Sequence, residues 1–155
     1  MSEPVKDQIA AAAVTALEGV LTGAGYYTDL GLNVSRRRYK VQDVAQLRVP
    51  CASVWVGDSR PSDTACTGSY RDRVDMLVEV FYRSETKENL DRDGIRVEAD
   101  VRTAILSTAL LGLSGVVVRL DPAEVRTDAQ EFNDDKLGWK VIGFAVEYNW
   151  TATAP

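Results

Sequence analysis

Arg36, Arg37, Arg38 and Lys40 form the densest charge cluster in the chain. Cations packed this closely could hold phosphates or an acidic protein surface. The competing reading is a solvated strand end, where alternation aims neighbouring arginines to opposite faces. The whole chain weighs against a nucleic-acid grip: 18 basic against 23 acidic residues give a net charge of −5, and neutralising phosphates needs a clustered basic surface. A second cluster, Asp121, Glu124, Asp128, Glu131, Asp134 and Asp135, is acidic. Its spacing does not match the D-x-[DN]-x-[DN]-G cation loop, so it reads as a solvated connection. Histidine is absent, which removes the commonest general base, the commonest metal ligand and the usual partner of a nucleophilic serine or cysteine. Ser107 and Ser114 therefore have no such partner. Cys51 and Cys66 fit no metal-ligand spacing and read as free thiols, with a Cys51–Cys66 disulfide as the alternative. Gly19, Gly23 and Gly25 follow no strand, so a dinucleotide fingerprint is rejected. The residue types nominate no catalytic, cofactor-binding or metal site.

The elements that would position these groups are easier to read. From Arg71 to Arg83 the even positions Val74, Met76, Val78, Val80 and Tyr82 are apolar, while Arg71, Arg73, Asp75 and Glu79 are charged. Period-two alternation predicts a long strand, about Ser69 to Ser84, with one buried and one polar face. A second strand of the same kind runs Trp139 to Trp150, with Ile142, Phe144, Val146 and Tyr148 on one face and Gly143, Ala145 and Glu147 on the other. The first element is a helix from about Glu3 to Thr22. Val5, Ile9, Ala13, Ala16, Leu17, Val20 and Leu21 share one face, Ser2 and Pro4 suit its start, and Gly23 and Gly25 end it.

Weak alternation from Tyr26 to Val41 suggests a strand with a basic end, followed by a loop from Gln42 to Val49. Pro50 opens a short strand, Cys51 to Val56, and Gly57 to Gly68 has the composition of an exposed loop. Asn89 to Leu110 reads as a second helix, with Leu90, Val97, Val101, Ala104, Ile105 and Thr108 inward. Its outer face carries Asp91, Arg92, Arg96, Glu98, Asp100 and Arg102. Val116 to Leu120 is a strand, which Glu124 to Thr127 could extend within the acidic connection Asp121 to Leu137. Thr151 to Pro155 reads as a frayed tail. The expectation is an α+β fold in the order α-β-β-β-α-β-β: a mixed, mainly antiparallel sheet of four to five strands packed with two helices.

At 155 residues, 45% hydrophobic and 26% charged, the chain has the size and composition of one soluble globular domain spanning 1–155. No apolar run approaches the roughly 20 residues needed to span a bilayer, and no secretory signal precedes the first helix. A cytoplasmic site of synthesis is expected. Trp55, Trp139 and Trp150 lie on or at the edge of the face opposite the assigned core, except that Trp150 continues the Tyr148 face. Aromatics there imply either helix cover or a subunit interface.

The layout resembles the tail terminator (tail completion, minor tail protein U-like) family of long-tailed bacteriophages and prophages. The resemblance is carried by an N-terminal helix of about 20 residues leading to a strand, then Leu47-Arg48-Val49-Pro50-Cys51-Ala52-Ser53-Val54. It continues through a polar loop before the long strand Asp72 to Arg83 and the helix Asn89 to Leu110. The closing stretch Gly138 to Tyr148 ends in Val146-Glu147-Tyr148. It implies a structural protein without catalysis or cofactor, assembling as a six-subunit ring. Such a ring caps the tail tube at the head-proximal end of the virion, stops its polymerisation and joins the head-tail connector protein. DNA would pass through the lumen without specific binding. The implied partners are further copies of the chain, the tail tube protein and the connector, with no membrane. Candidate contact residues are Arg36, Arg37, Arg38, Lys40, Arg71, Arg73, Asp75 and Glu79. The loops Ser59 to Gly68 and Asp121 to Leu137 are candidate docking segments. Another neck or adaptor component, or a small ligand-binding or enzymatic α+β domain, is the alternative.

Overall fold

Two strands of 15 residues, β4 (Ser69–Arg83) and β6 (Leu137–Thr151), pair antiparallel along their whole length. They form the spine of the computed structural model, which describes residues 4–38, 48–63, 69–127 and 136–151. On one side of β4 lie β2 (Cys51–Val56), antiparallel to it, and β1 (Val34–Ser35), parallel to β2. On the far side of β6 lies β5 (Val117–Thr127). The order is β1-β2-β4-β6-β5, and β3 (Arg60–Asp63) pairs with β4 beyond the end of β2. This is an α+β fold with a six-stranded, mostly antiparallel sheet.

Alternation decides which face is buried. Val74, Met76, Val78, Val80 and Tyr82 of β4 point the same way as Ile142, Phe144, Val146 and Tyr148 of β6, with Ala52 and Val54 beside them. Onto that face pack helix α1 (Val5–Glu18), through Ile9, Ala13 and Leu17, and helix α2 (Leu90–Ser107), through Val97, Val101, Ala104 and Ile105. Asp91 and Asp93 sit in the first turn of α2, where carboxylates complement the helix dipole. A strand of 15 residues spans about 50 Å, whereas the 18 residues of α2 span about 27 Å. The spine is therefore longer than α2, and at its far end Tyr70 and Trp150 stack at 4.7 Å between ring centroids while remaining partly exposed.

Several expectations change. The sheet has six strands, one more than the five that could be read, because Arg60–Asp63 lies in the stretch taken for a loop. The overhanging end of β4 supplies the partner that its own composition would not suggest. The strand expected from Tyr26 to Val41 contracts, among the described residues, to Val34–Ser35. Before it the chain makes 3₁₀ turns at Thr22–Ala24 and Leu30–Asn33. Asp29 clasps the first turn, accepting hydrogen bonds from the Thr22 backbone N–H at 2.8 Å and its hydroxyl at 2.9 Å. Those bonds hold the Asp29 carboxyl below its ordinary pKa. Helix α1 stops at Glu18 because Gly31 packs against the end of the helix and donates its N–H to the Val20 carbonyl. Strand β5 continues into the acidic stretch, to Thr127, with a register shift between Pro122 and Val125.

Asp100, read on the outer face of α2, is buried. It accepts hydrogen bonds from the Tyr27 backbone N–H at 3.0 Å and the Thr28 hydroxyl at 2.7 Å, tying the turn region to the helix. Glu98 and Arg102 do pair, at 3.4 Å, and Glu98 also receives Lys140 at 3.1 Å. Cys51 is buried. Cys66 lies outside the described residues, as do Lys40 and the tail from 152 to 155.

Candidate interaction face

Both helices lie on one side of the sheet, so the odd-numbered residues of β4 and β6 line a face with no helix on it among the described residues. Its centre is apolar and aromatic: Trp55 of β2, Leu77 of β4, and Trp139, Val141 and Gly143 of β6. A Cβ on Gly143 would stand 3.0 Å from the Glu124 carbonyl oxygen, so the glycine lets β5 approach closely there. Charges rim this centre. Arg38 stands over the Trp55 ring at 4.6 Å, and Asp75, Glu124 and Arg126 complete a groove of about 850 Å³. The Trp55 indole N–H is buried and has no hydrogen-bond partner among the described residues.

The candidate residues distribute unevenly over this face. Arg36 turns away and bridges Asp7 of α1 at 2.7 Å. Arg37 is exposed and makes no ion pair among the described residues, and Arg38 belongs to the groove. Further along, Arg71 donates to Asn149 Oδ1 at 3.2 Å, and Asp75 receives Arg60 from β3 at 3.2 Å. Arg73 is exposed, opposite Glu147 in register, and makes no ion pair among the described residues.

No family model matches the chain, and no curated protein is significantly similar to it.

Glu79 corrects one expectation outright. It was expected to be an exposed charge, yet it is only 5% exposed. Alternation places it on the second face, but there it sits beside a small second core of Cys51, Phe81 and Leu137. Its carboxylate accepts the Trp139 indole N–H at 3.0 Å and the Ser53 hydroxyl at 3.3 Å. It therefore orients Trp139 at the edge of the groove. Glu79→Gln, which keeps an acceptor for the indole, is expected to cost within about 1 kcal/mol. Glu79→Ala strands the buried Ser53 hydroxyl and the half-buried Trp139 indole N–H and is expected to cost about 2 kcal/mol or more. Urea denaturation followed by tryptophan fluorescence separates the two, and equal costs would mean that the Trp139 bond is not what the carboxylate supplies.

Reading the sequence identified the second-face aromatics Trp55 and Trp139 but missed the β5 contribution to their groove. Glu124 and Arg126 reach it because the register shifts between Pro122 and Val125. No sequence signal marks that bulge beyond Pro122 itself, which cannot donate to a ladder. Among the described residues, no three or more Cys, Asp or Glu side chains are grouped to hold a metal ion. No described helix is long and apolar enough to cross a membrane.

Proposed function

We infer that the protein is a structural subunit of a phage tail, of the terminator kind, working by assembly and without a chemical step. In this reading copies close into a ring that caps the tail tube, stops its growth and meets the head connector, with DNA passing through the lumen. The observation that carries it is the sheet face with no helix on it among the described residues. A broad face with an aromatic centre, a charged rim and a buried indole N–H that has no partner among the described residues has the make-up of a protein contact surface, whose core is enriched in aromatics and arginine. The resemblance in layout supplies the identity of the assembly, and the long paired strands support it by giving such a face its length.

Virions produced without the protein test the reading under the electron microscope. Tails of uncontrolled length, unattached to heads, are expected; normal-length tails joined to heads would sink it. A finer test is the double substitution Arg37→Glu, Arg38→Glu. It removes the cation over Trp55 and reverses the charge of the rim. An unchanged circular dichroism spectrum with a virion yield lowered about tenfold or more is expected, since each 1.4 kcal/mol of lost contact is a factor of ten. An unchanged yield would remove this end of the sheet from the contact surface.

A further inference from the structure

Among the described residues, β1 and β5 end the strand order, each with a single neighbour, and β3 pairs only with β4. A ring requires a heterologous contact between two different, complementary surfaces on opposite sides of the subunit. Strands β1 and β5 stand on such sides, and the segments that follow them in sequence differ in charge. After β1 come Arg36, Arg37 and Arg38. Strand β5 carries Asp121 and Glu124 alongside Arg119 and Arg126, and residues 128–135, which follow it in sequence, include Asp128, Glu131, Asp134 and Asp135 but no Lys or Arg.

The two edges also meet the same level of the sheet. Arg38 lies over Trp55, Trp55 is opposite Leu77, and Leu77 is opposite Gly143. The β5 bulge holding Glu124 packs against Gly143. Arg38 and Glu124 thus approach one groove from its two ends. Glu124 and Asp121 each have an exposed partner of their own: Arg126 lies 3.4 Å from Glu124 and Arg119 lies 2.5 Å from Asp121. Such a pair holds its members only weakly and exchanges readily.

We propose that copies of this chain join edge to edge, with Arg37 and Arg38 of one copy against Glu124 and Asp121 on the β5 edge of the next. Full strand addition is blocked on that edge. Pro122 has no N–H to offer, and two register shifts interrupt the ladder. Side-chain charge pairs therefore carry the contact, and the blunted edge keeps it from propagating as an open sheet. The inference rests on the ring reading and specifies which surfaces close it.

Paired cysteines test it in the full chain carrying Cys66→Ser. Under mild oxidation at high protein concentration, the variant with both Arg37→Cys and Glu124→Cys is expected to give a ladder of linked species, dimer upwards, on a non-reducing gel. Each single substitution is expected to give none, because a heterologous contact brings different residues together. Dimers from a single substitution would indicate a two-fold contact and overturn the proposal, and so would a double variant that stays unlinked. Raising the salt concentration is expected to weaken the ladder, because exposed charge pairs are screened. A ladder indifferent to salt would count against the charge pairing. Virions lacking the protein report on the tail function separately, so failure of the edge contact and failure of that function are told apart.

Discussion

Gly31→Ala is expected to destabilise the protein by about 3 kcal/mol or more, a fall of roughly 6–12 °C in Tm for a chain of this size. A Cβ on Gly31 would stand 2.4 Å from the Glu18 carbonyl oxygen, 2.8 Å from the Glu18 carbonyl carbon and 2.9 Å from the Leu17 oxygen. All three are backbone atoms at the end of α1, so no side chain can swing aside to admit the methyl. The contact cannot simply open, because the Gly31 N–H bonds to the Val20 carbonyl at 2.9 Å and the neighbouring Leu30 is fully buried in the core. Gly23→Ala is the control: nothing lies within 4 Å of the Cβ it would add, and its expected effect is within about 0.5 kcal/mol. The consequence reaches the contact surface, since Val34, Ser35 and the three arginines follow directly from the turn that Gly31 seats. If thermal and urea denaturation found Gly31→Ala as stable as the parent, the approach to α1 would not be what fixes that edge of the sheet.

That turn also shows where reading the sequence stops. The two long strands were legible because alternation is a local signal, written in every second residue from Val74 to Tyr82 and from Ile142 to Tyr148. The same signal says which face a residue occupies but not what covers that face. Glu79 was therefore placed on the correct side of β4 and wrongly taken as exposed. Asp100 failed in a related way: it is polar, but it sits among Val97, Val101 and Ala104 on α2 and is buried beneath the Tyr27–Thr28 backbone. The strand expected from Tyr26 was overridden by a tertiary contact, the docking of Gly31 on α1. Strand β3 is stabilised from outside as well. Its residues Arg-Pro-Ser-Asp have turn composition, and only the overhang of β4 makes them a strand. For the interaction face, the aromatics and Arg38 could be named in advance. The groove could not, because it forms only when β5 comes to lie beside β6 with its bulge facing Gly143.

Tyr82 carries the other large expected effect. Its ring occupies a slot bounded by two glycines. A Cβ at Gly138 on β6 would stand 2.2 Å from the ring carbon Cζ and 2.5 Å from Cε2, while one at Gly94 on α2 would stand 2.3 Å from the hydroxyl oxygen and 3.0 Å from Cζ. Tyr82 and Gly138 are direct cross-strand partners, so the ring lies over a residue that has no side chain to displace it. Burial, then the Asp91 and Asp93 carboxylates, raises the Tyr82 pKa above its ordinary value, and the hydroxyl stays protonated at neutral pH. Gly138→Ala is expected to cost about 3 kcal/mol, because the ring must leave its slot and α2 loses its seat on the sheet. Gly94→Ala meets the hydroxyl most closely, with the flexible Lys140 Cε next at 3.0 Å, and alanine favours the helix by about 1 kcal/mol over glycine. The two clashes therefore respond differently to Tyr82→Phe. Removing the hydroxyl is expected to rescue Gly94→Ala almost completely and Gly138→Ala hardly at all, a contrast that double-mutant cycles read directly. Equal rescue of both would mean that the ring shifts as a body between the glycines. The packing of α2 on β6 would then not depend on a fixed position for Tyr82.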